Sequence, residues 1–179
     1  MRKLTHEEIS RNRSTLEKLD QVKKLPVYVI LDSIRSSYNV GSIFRTSDGV
    51  MIEKLFLCGY TPSPLKKEVL KTALGSEKSV AWEYVKDAKE VILELKSKGV
   101  KIGALELTED SLAHYNFPQE NFPIALIIGN EITGVAQELL DLCDFSLEIP
   151  QFGTKQSLNV AVAYGISIYD LRRVFDNKA

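Results

Sequence analysis

The sequence predicts an α/β fold, a mostly parallel sheet flanked by helices. Residues 27–31 (VYVIL) form a short, uninterrupted apolar run, the pattern of a parallel strand covered on both faces. Similar short runs recur at 54–58, 79–85, 100–105, 124–128 and 145–149, separated by segments of helical character. Glycine, serine and asparagine cluster directly after several of these runs, as they do in turns at a sheet edge. With 179 residues, 44% hydrophobic and 26% charged, the chain has the composition of one globular domain and not of a disordered segment.

Taken in order, Thr5 and Glu8 have the spacing of a capping box. They predict a polar helix to about residue 22, with Ile9, Leu16 and Leu19 as sparse apolar positions, lying on another surface instead of inside a core. Pro26 closes this lead-in, so residues 1–25 are read as a helical extension and 26–179 as a single domain. Helices are predicted over 40–48, 64–73, 87–98, 135–143 and 158–175. Ser63-Pro64 reads as an N-cap followed by proline at the first helical position, and Gly99 is placed to cap the helix before it. The loop 107–123 is long and holds Pro118 and Pro123; loops of that length are often functional.

Several function classes are disfavoured. No apolar run approaches the roughly 18 residues of a membrane span. The basic N-terminus is followed by no hydrophobic stretch, so a secretory signal is not expected and a cytoplasmic location is. Cys58 and Cys143 lie far apart in apolar stretches and read as buried free thiols. His6 and His114 are isolated, and no metal site is expected from them. The net charge of −1 hides an asymmetry: residues 1–101 hold 19 Lys and Arg against 13 Asp and Glu, whereas 102–154 hold nine acids and no Lys or Arg. That split fits a basic face for a polyanion beside an acidic region, or charges that mix on a solvated surface; charge alone does not choose.

Three segments, each after a predicted strand, belong at the carboxyl edge of the sheet, where such folds bind ligands. In the first, Asn39 can cap a helix, Gly41 permits close approach, and Arg45 lies four residues further along the same helical face. A helix start with a nearby arginine suits an oxyanion or phosphate; the simpler reading is an arginine paired with Asp32 or Asp48. In the second, Gly129 and Gly134 have the spacing of a phosphate loop, but Val135-Ala136 stand where lysine and Ser/Thr would be, so that site is rejected. A tight turn carrying one acid, Glu131, remains. In the third, a strand ends near Ile149-Pro150, and Ser157 and Asn159 open a long apolar helix, either as caps or beside a ligand.

In this order and spacing, Asn39-x-Gly41-x-x-x-Arg45, Gly129-x-Glu131-x-x-Gly134 and Ile149-Pro150 with Ser157-Leu158-Asn159-Val160 resemble the three motifs of SPOUT-class RNA 2′-O-ribose methyltransferases of the TrmH family. The resemblance covers residues 26–175. It implies a C-terminal deep trefoil knot, S-adenosylmethionine as cofactor, and a homodimer through the knot region with each active site shared. It places the cofactor against Leu105, Ile128, Gly129, Asn130, Gly134, Ile149, Gln151, Ser157 and Leu158. It gives Arg45 the central catalytic role, with Asn39, Glu131, Ser157 and Asn159 around it, and needs no metal. An arginine, with a pKa above ~12, is neutral at pH 7 in about one molecule in 10⁵, at an expense of roughly 7 kcal/mol. Arg45 is therefore read as stabilising the developing alkoxide instead of serving as the base.

The family's third motif commonly continues into a second serine where this chain has Ala161, and often has methionine where Gln151 stands. Activity is expected to survive both. The expected partner is RNA, with tRNA favoured over rRNA because the residues before Pro26 are too few for an accessory domain. Residues 1–24, Lys66, Lys67, Lys71, Lys78, Arg172, Arg173 and Lys178 are candidates for tracking phosphates. Leu139, Leu142, Ile166, Ile168 and Tyr169 are candidates for the dimer interface or for the core. Two rival readings are a knotted RNA-binding protein without transfer activity, hinted at by Ala161 alone, and a small-molecule enzyme with a nucleotide cofactor, which the missing phosphate-binding fingerprint opposes.

Overall fold

The computed structural model describes residues 1–11 and 13–177; Lys178 lies outside them. Seven strands form one sheet: β1 (Leu25–Asp32), β2 (Ile52–Cys58), β3 (Trp82–Val85), β4 (Lys101–Leu105), β5 (Leu112–Ala113), β6 (Ile124–Ile128) and β7 (Phe145–Glu148). Their order is β3-β2-β1-β6-β4-β7-β5, and every pairing is parallel. β1 and β6 are central, which is why their sequences are continuously apolar: each is covered on both faces. Val27, Val29 and Leu31 of β1 face one core with Ile124, Leu126 and Ile128 of β6, while Ile30, Ala125 and Ile127 face the other.

The helices divide between those cores. α2 (Ser37–Val50), α3 (Lys67–Ala73) and α6 (Val160–Asp176) supply Val40, Ile43, Phe44, Val69, Ile168 and Leu171 to the first. α4 (Ala88–Ser97) and α5 (Gln137–Leu140) supply Val91, Ile92, Leu95 and Leu139 to the second. Tyr164 of α6 is fully buried, and its hydroxyl lies 2.7 Å from Ser47 Oγ of α2. Burial raises the phenol's pKa, so this bond joins two neutral hydroxyls.

Several boundaries differ from expectation for local reasons. α2 begins three residues early because Ser36, not Asn39, is the cap: Ser36 Oγ accepts from Asn39 N. Ser63-Pro64 opens a turn closed by Lys66 N on the Ser63 carbonyl, and α3 starts only at Lys67. The N-terminal helix α1 (His6–Arg11) has the expected reciprocal Thr5–Glu8 cap but stops short; Leu16–Gln21 forms a separate 3₁₀ turn, and its Leu16 and Leu19 line a cavity with Met51 and Val80. Within the long loop, β5 adds a two-residue edge strand that no periodicity announced. Gly99 does cap α4: Val100 N bonds to Leu95 O and Gly99 N to Lys96 O, a Schellman pair.

Gly41 serves packing between helices. A Cβ there would overlap Thr72 Oγ1 and the Val69 carbonyl oxygen of α3. Because backbone has to yield, Gly41→Ala is expected to cost about 1–3 kcal/mol, seen as a lower urea midpoint with unchanged slope.

Among the described residues no helix is long and apolar enough to cross a membrane. Burial pushes the Cys58 thiol up to about 12 and the Cys143 thiol up to about 11, so neither is a nucleophile at neutral pH.

Candidate functional site

The sheet order brings the carboxyl ends of β6, β4 and β7 side by side. A cavity of about 540 Å³ opens there, within the range of small-ligand sites. Its walls include all nine residues expected around the cofactor: Leu105 from β4; Ile128, Gly129, Asn130 and Gly134 from β6 and its turn; and Ile149, Gln151, Ser157 and Leu158 after β7. Glu131 and Asn159 line it as well.

The β6 turn is closed by a reciprocal pair of backbone bonds between Asn130 and Gly134, 2.9 and 3.1 Å long. The Asn130 side chain locks it further, its Oδ1 accepting from Ile132 N and Thr133 N and its Nδ2 donating to the Ser33 carbonyl and Tyr60 hydroxyl. Its amide is therefore committed to the turn, and what this residue can offer a ligand is mainly shape. Gly134 has φ +68°, and a Cβ on it would overlap the Glu106 carboxylate.

Glu131 reaches from this turn to the start of α2. Its carboxylate accepts from Arg35 N (2.8 Å), Ser36 N (3.1 Å) and Asn39 Nδ2 (2.9 Å). Partial burial pushes its pKa up, but the bonds from Arg35, Asn39 and Ser36 outweigh that and hold it below the usual glutamate value. Asn39 Oδ1 in turn accepts from Asn159 Nδ2 at 3.2 Å, and Asn159 Oδ1 caps α6 through Ala161 N and Val162 N. A carboxylate and two amides thus tie the three sequence segments into one chain of hydrogen bonds. Ala161 occupies the second position of α6, its side chain packed against the core and its N–H in that cap.

Arg45 stands apart. It is exposed on α2, does not line the 540 Å³ cavity, and makes no ion pair among the described residues. The expected alternative partners are otherwise engaged: Asp48 accepts from Ser79 Oγ, and Asp32 from Ser33 Oγ. Arg45 instead lines a second cavity with residues of α3 and α6. Ser157 and Leu158 lie on the exposed strand-to-helix segment.

Among the cavity residues that the sequence did not single out, two are acids. Glu106 follows Leu105 and accepts from Val135 N (3.0 Å) and Leu107 N (3.0 Å); Glu148 ends β7 and accepts from Ser111 Oγ. Their common signal was available, since both are acids at the ends of predicted strands. Two candidate interface residues, Ile168 and Leu139, are buried core, whereas Ile166 and Tyr169 are exposed on α6. Arg172 and Arg173 are paired with Asp176 and Asp170, and Arg172 also donates to the Lys23 and Val50 carbonyls, so its job is to tie the N-terminal lead-in to α6.

The fold and these segments match known proteins. The chain is 33% identical over 174 residues to a tRNA (guanosine(18)-2′-O)-methyltransferase of Aquifex aeolicus, covering 95% of this chain and 78% of that relative. It is 31% identical to a 23S rRNA (guanosine-2′-O-)-methyltransferase, RlmB, of Neisseria meningitidis, covering 92% of this chain and 65% of the relative. It thus spans somewhat less than two thirds of that rRNA enzyme. Its fold superposes on the crystal structure of the A. aeolicus TrmH/SpoU tRNA modifying enzyme with a TM-score of 0.80 at 30% identity, covering 90% of this chain and 82% of that one. It superposes on an AdoMet-bound rRNA methyltransferase from Sinorhizobium meliloti with a TM-score of 0.77 at 29% identity, covering 84% and 60%. The sequence pattern of the SpoU rRNA Methylase family runs from residue 26 to residue 169, across all three hydrogen-bonded segments, and the chain belongs to that family.

Proposed function

We propose that this protein is an S-adenosylmethionine-dependent methyltransferase acting on a ribose 2′-hydroxyl of RNA, with tRNA favoured over rRNA. The observation that carries the reading is the single cavity lined by all nine expected cofactor residues and held in shape by the Glu131–Asn39–Asn159 chain. The cofactor fits its chemistry. Leu105, Ile128, Leu147, Ile149 and Leu158 offer apolar walls to a purine, while Glu106, Glu131 and Glu148, with no lysine or arginine among the lining residues, suit a cationic ligand. When bound, S-adenosylmethionine supplies a methyl group on a sulfonium that departs as a neutral thioether.

The residues of this chain do the rest. Arg45 donates to the 2′-oxygen and stabilises its developing charge, as an oxyanion hole does. The 2′-proton leaves to phosphate or water. Asn39 and Glu131 are positioning residues that hold the loop before α2 against the β6 turn. Ser157 and Asn159 order the segment into α6. Because Arg45 lies outside the cavity, the reading includes a homodimer in which Arg45 of one protomer serves the cavity of its partner. Exposed apolar residues at the C-terminal end, Phe152 (98% exposed), Leu158, Val162, Ile166 and Tyr169, support that contact. A trefoil knot threading the segment from the β6 turn into α6, a cytoplasmic location and an RNA-tracking role for residues 1–24 belong to the same proposal.

The test is incubation with tritiated-methyl S-adenosylmethionine and separate pools of unmodified tRNA and rRNA. Label in a ribose 2′-O-methyl nucleoside, greater from tRNA, is the expected result. Cofactor binding without label in either pool counts against transfer, and no cofactor binding sinks the site assignment.

A further inference from the structure

The charge asymmetry of the sequence resolves into two cavities of opposite character. Among the described residues the cofactor cavity is lined by three glutamates and no cation. The second cavity, about 500 Å³, is lined by Arg45, Lys71, Ser42, Thr46, Thr72 and Tyr169 among others, with two cations and no carboxylate among the described residues. Among the described residues neither cation has an ion-pair partner. Two like charges sharing one cavity repel each other, and an anion between them turns that repulsion into attraction.

The walls are built, not incidental. Gly41 lets α3 press against α2 with backbone almost in contact, and Thr72 Oγ1 donates to the Tyr38 carbonyl across the seam at 3.0 Å. That contact sets the register of α3, and so where Lys71 stands relative to Arg45, one helical turn beyond Gly41. The third wall is Tyr169: a Cβ on Gly49 would stand 2.8 Å from its hydroxyl, so α6 also closes on α2 here.

We propose that this cavity is a phosphodiester subsite for the RNA substrate, with Lys71 as its anchoring cation. The inference rests on the reading of Arg45 at the reacting ribose. In RNA the 2′-oxygen and the 3′-phosphodiester sit on adjacent ribose carbons. An arginine on the 2′-oxygen therefore has the 3′-phosphate beside it, and Lys71 is the cation that shares its cavity. An ammonium binds phosphate as a point charge and reads no base, so the subsite holds the target ribose in place without selecting sequence.

The test compares Lys71→Gln, Lys71→Arg and, as a control, Lys89→Gln, an exposed lysine on α4 at the opposite face of the sheet. The probe is unmodified tRNA, with unmodified rRNA alongside, in filter binding and in steady-state methyl transfer over a salt series. Lys71→Gln is expected to raise Kd and KM for RNA about tenfold, leave kcat within about twofold and leave cofactor affinity unchanged. It should flatten the dependence of log Kd on log salt by about 0.7–0.9, the loss of one phosphate contact. Lys71→Arg restores binding, and Lys89→Gln has no effect. An unchanged KM and salt slope in Lys71→Gln, with wild type active, overturns the subsite while leaving the proposed function standing. Equal losses in Lys89→Gln overturn it too, as general charge. Wild-type protein that methylates neither RNA overturns the proposed function and this subsite with it.

Discussion

Arg45→Ala is expected to lower kcat/KM for RNA methylation by about 10²–10³-fold, the effect of removing one donor that stabilises a developing oxyanion. The fold should not notice. Arg45 is exposed and has no ion-pair partner among the described residues, so its removal is expected to shift unfolding by no more than about 0.5 kcal/mol. Cofactor affinity should also hold, because Arg45 does not line the cavity proposed for the cofactor. Arg45→Lys keeps the charge but loses the forked donor geometry and should recover little. The measurement is steady-state transfer with cofactor binding and thermal unfolding in parallel; near-normal kcat/KM in Arg45→Ala would remove arginine from the chemistry. Mixing Arg45→Ala protomers with protomers blocked at the cavity by Gly129→Val should restore activity in mixed dimers, since each dimer then holds one intact composite site.

Glu131→Ala is expected to lower transfer by about 10–100-fold by misplacing groups without deleting a reacting one. It removes the shared acceptor of Arg35 N, Ser36 N and the Asn39 amide. Bonds to a charged acceptor are worth about 1.5–3 kcal/mol each when buried, but Glu131 is exposed and water replaces much of that, so about 1–2 kcal/mol in total is the expected loss of stability. The pH dependence has a definite sign. The folded carboxyl is held below its ordinary value, so it binds fewer protons folded than unfolded. Its contribution is complete above the ordinary glutamate pKa of about 4.3 and is lost as pH falls through the lower folded value. Thermal unfolding of wild type and Glu131→Ala should therefore differ at neutral pH and converge in acid below about pH 4. A constant difference across that range would show that the carboxylate charge is irrelevant to the link.

The elements themselves were legible because their signals are local. The run 124–128 matches its strand residue for residue, and 27–31 falls inside β1. The capping box at Thr5 and Glu8 formed as its spacing implied, yet the helix it starts is short, since α1 buries no residue and polar spacing alone does not sustain a helix. Asn39 shows how a residue singled out by sequence takes a different local job. As an asparagine near a helix start it looked like the cap, but Ser36 took that place and freed its amide for Glu131 and Asn159. Gly41 likewise looked ready to receive a ligand, and it receives a helix.

By itself the sequence determined most of the strand and helix pattern, the three segments at the sheet edge and the basic and acidic stretches of the chain. All of these follow from residue type and spacing over a few turns. The tertiary structure alone decided which of them meet. Asn39 and Glu131 are 92 residues apart, and Asn39 and Asn159 are 120 apart. They join because β6 pairs beside β1 instead of beside its neighbours in sequence. The same strand order gathers the residues proposed to hold the cofactor at β6, β4 and β7, while Arg45, two turns along α2, faces α3 and Tyr169. Strand order is settled by which apolar faces bury one another across the whole chain, a competition among distant segments that no local window of sequence contains.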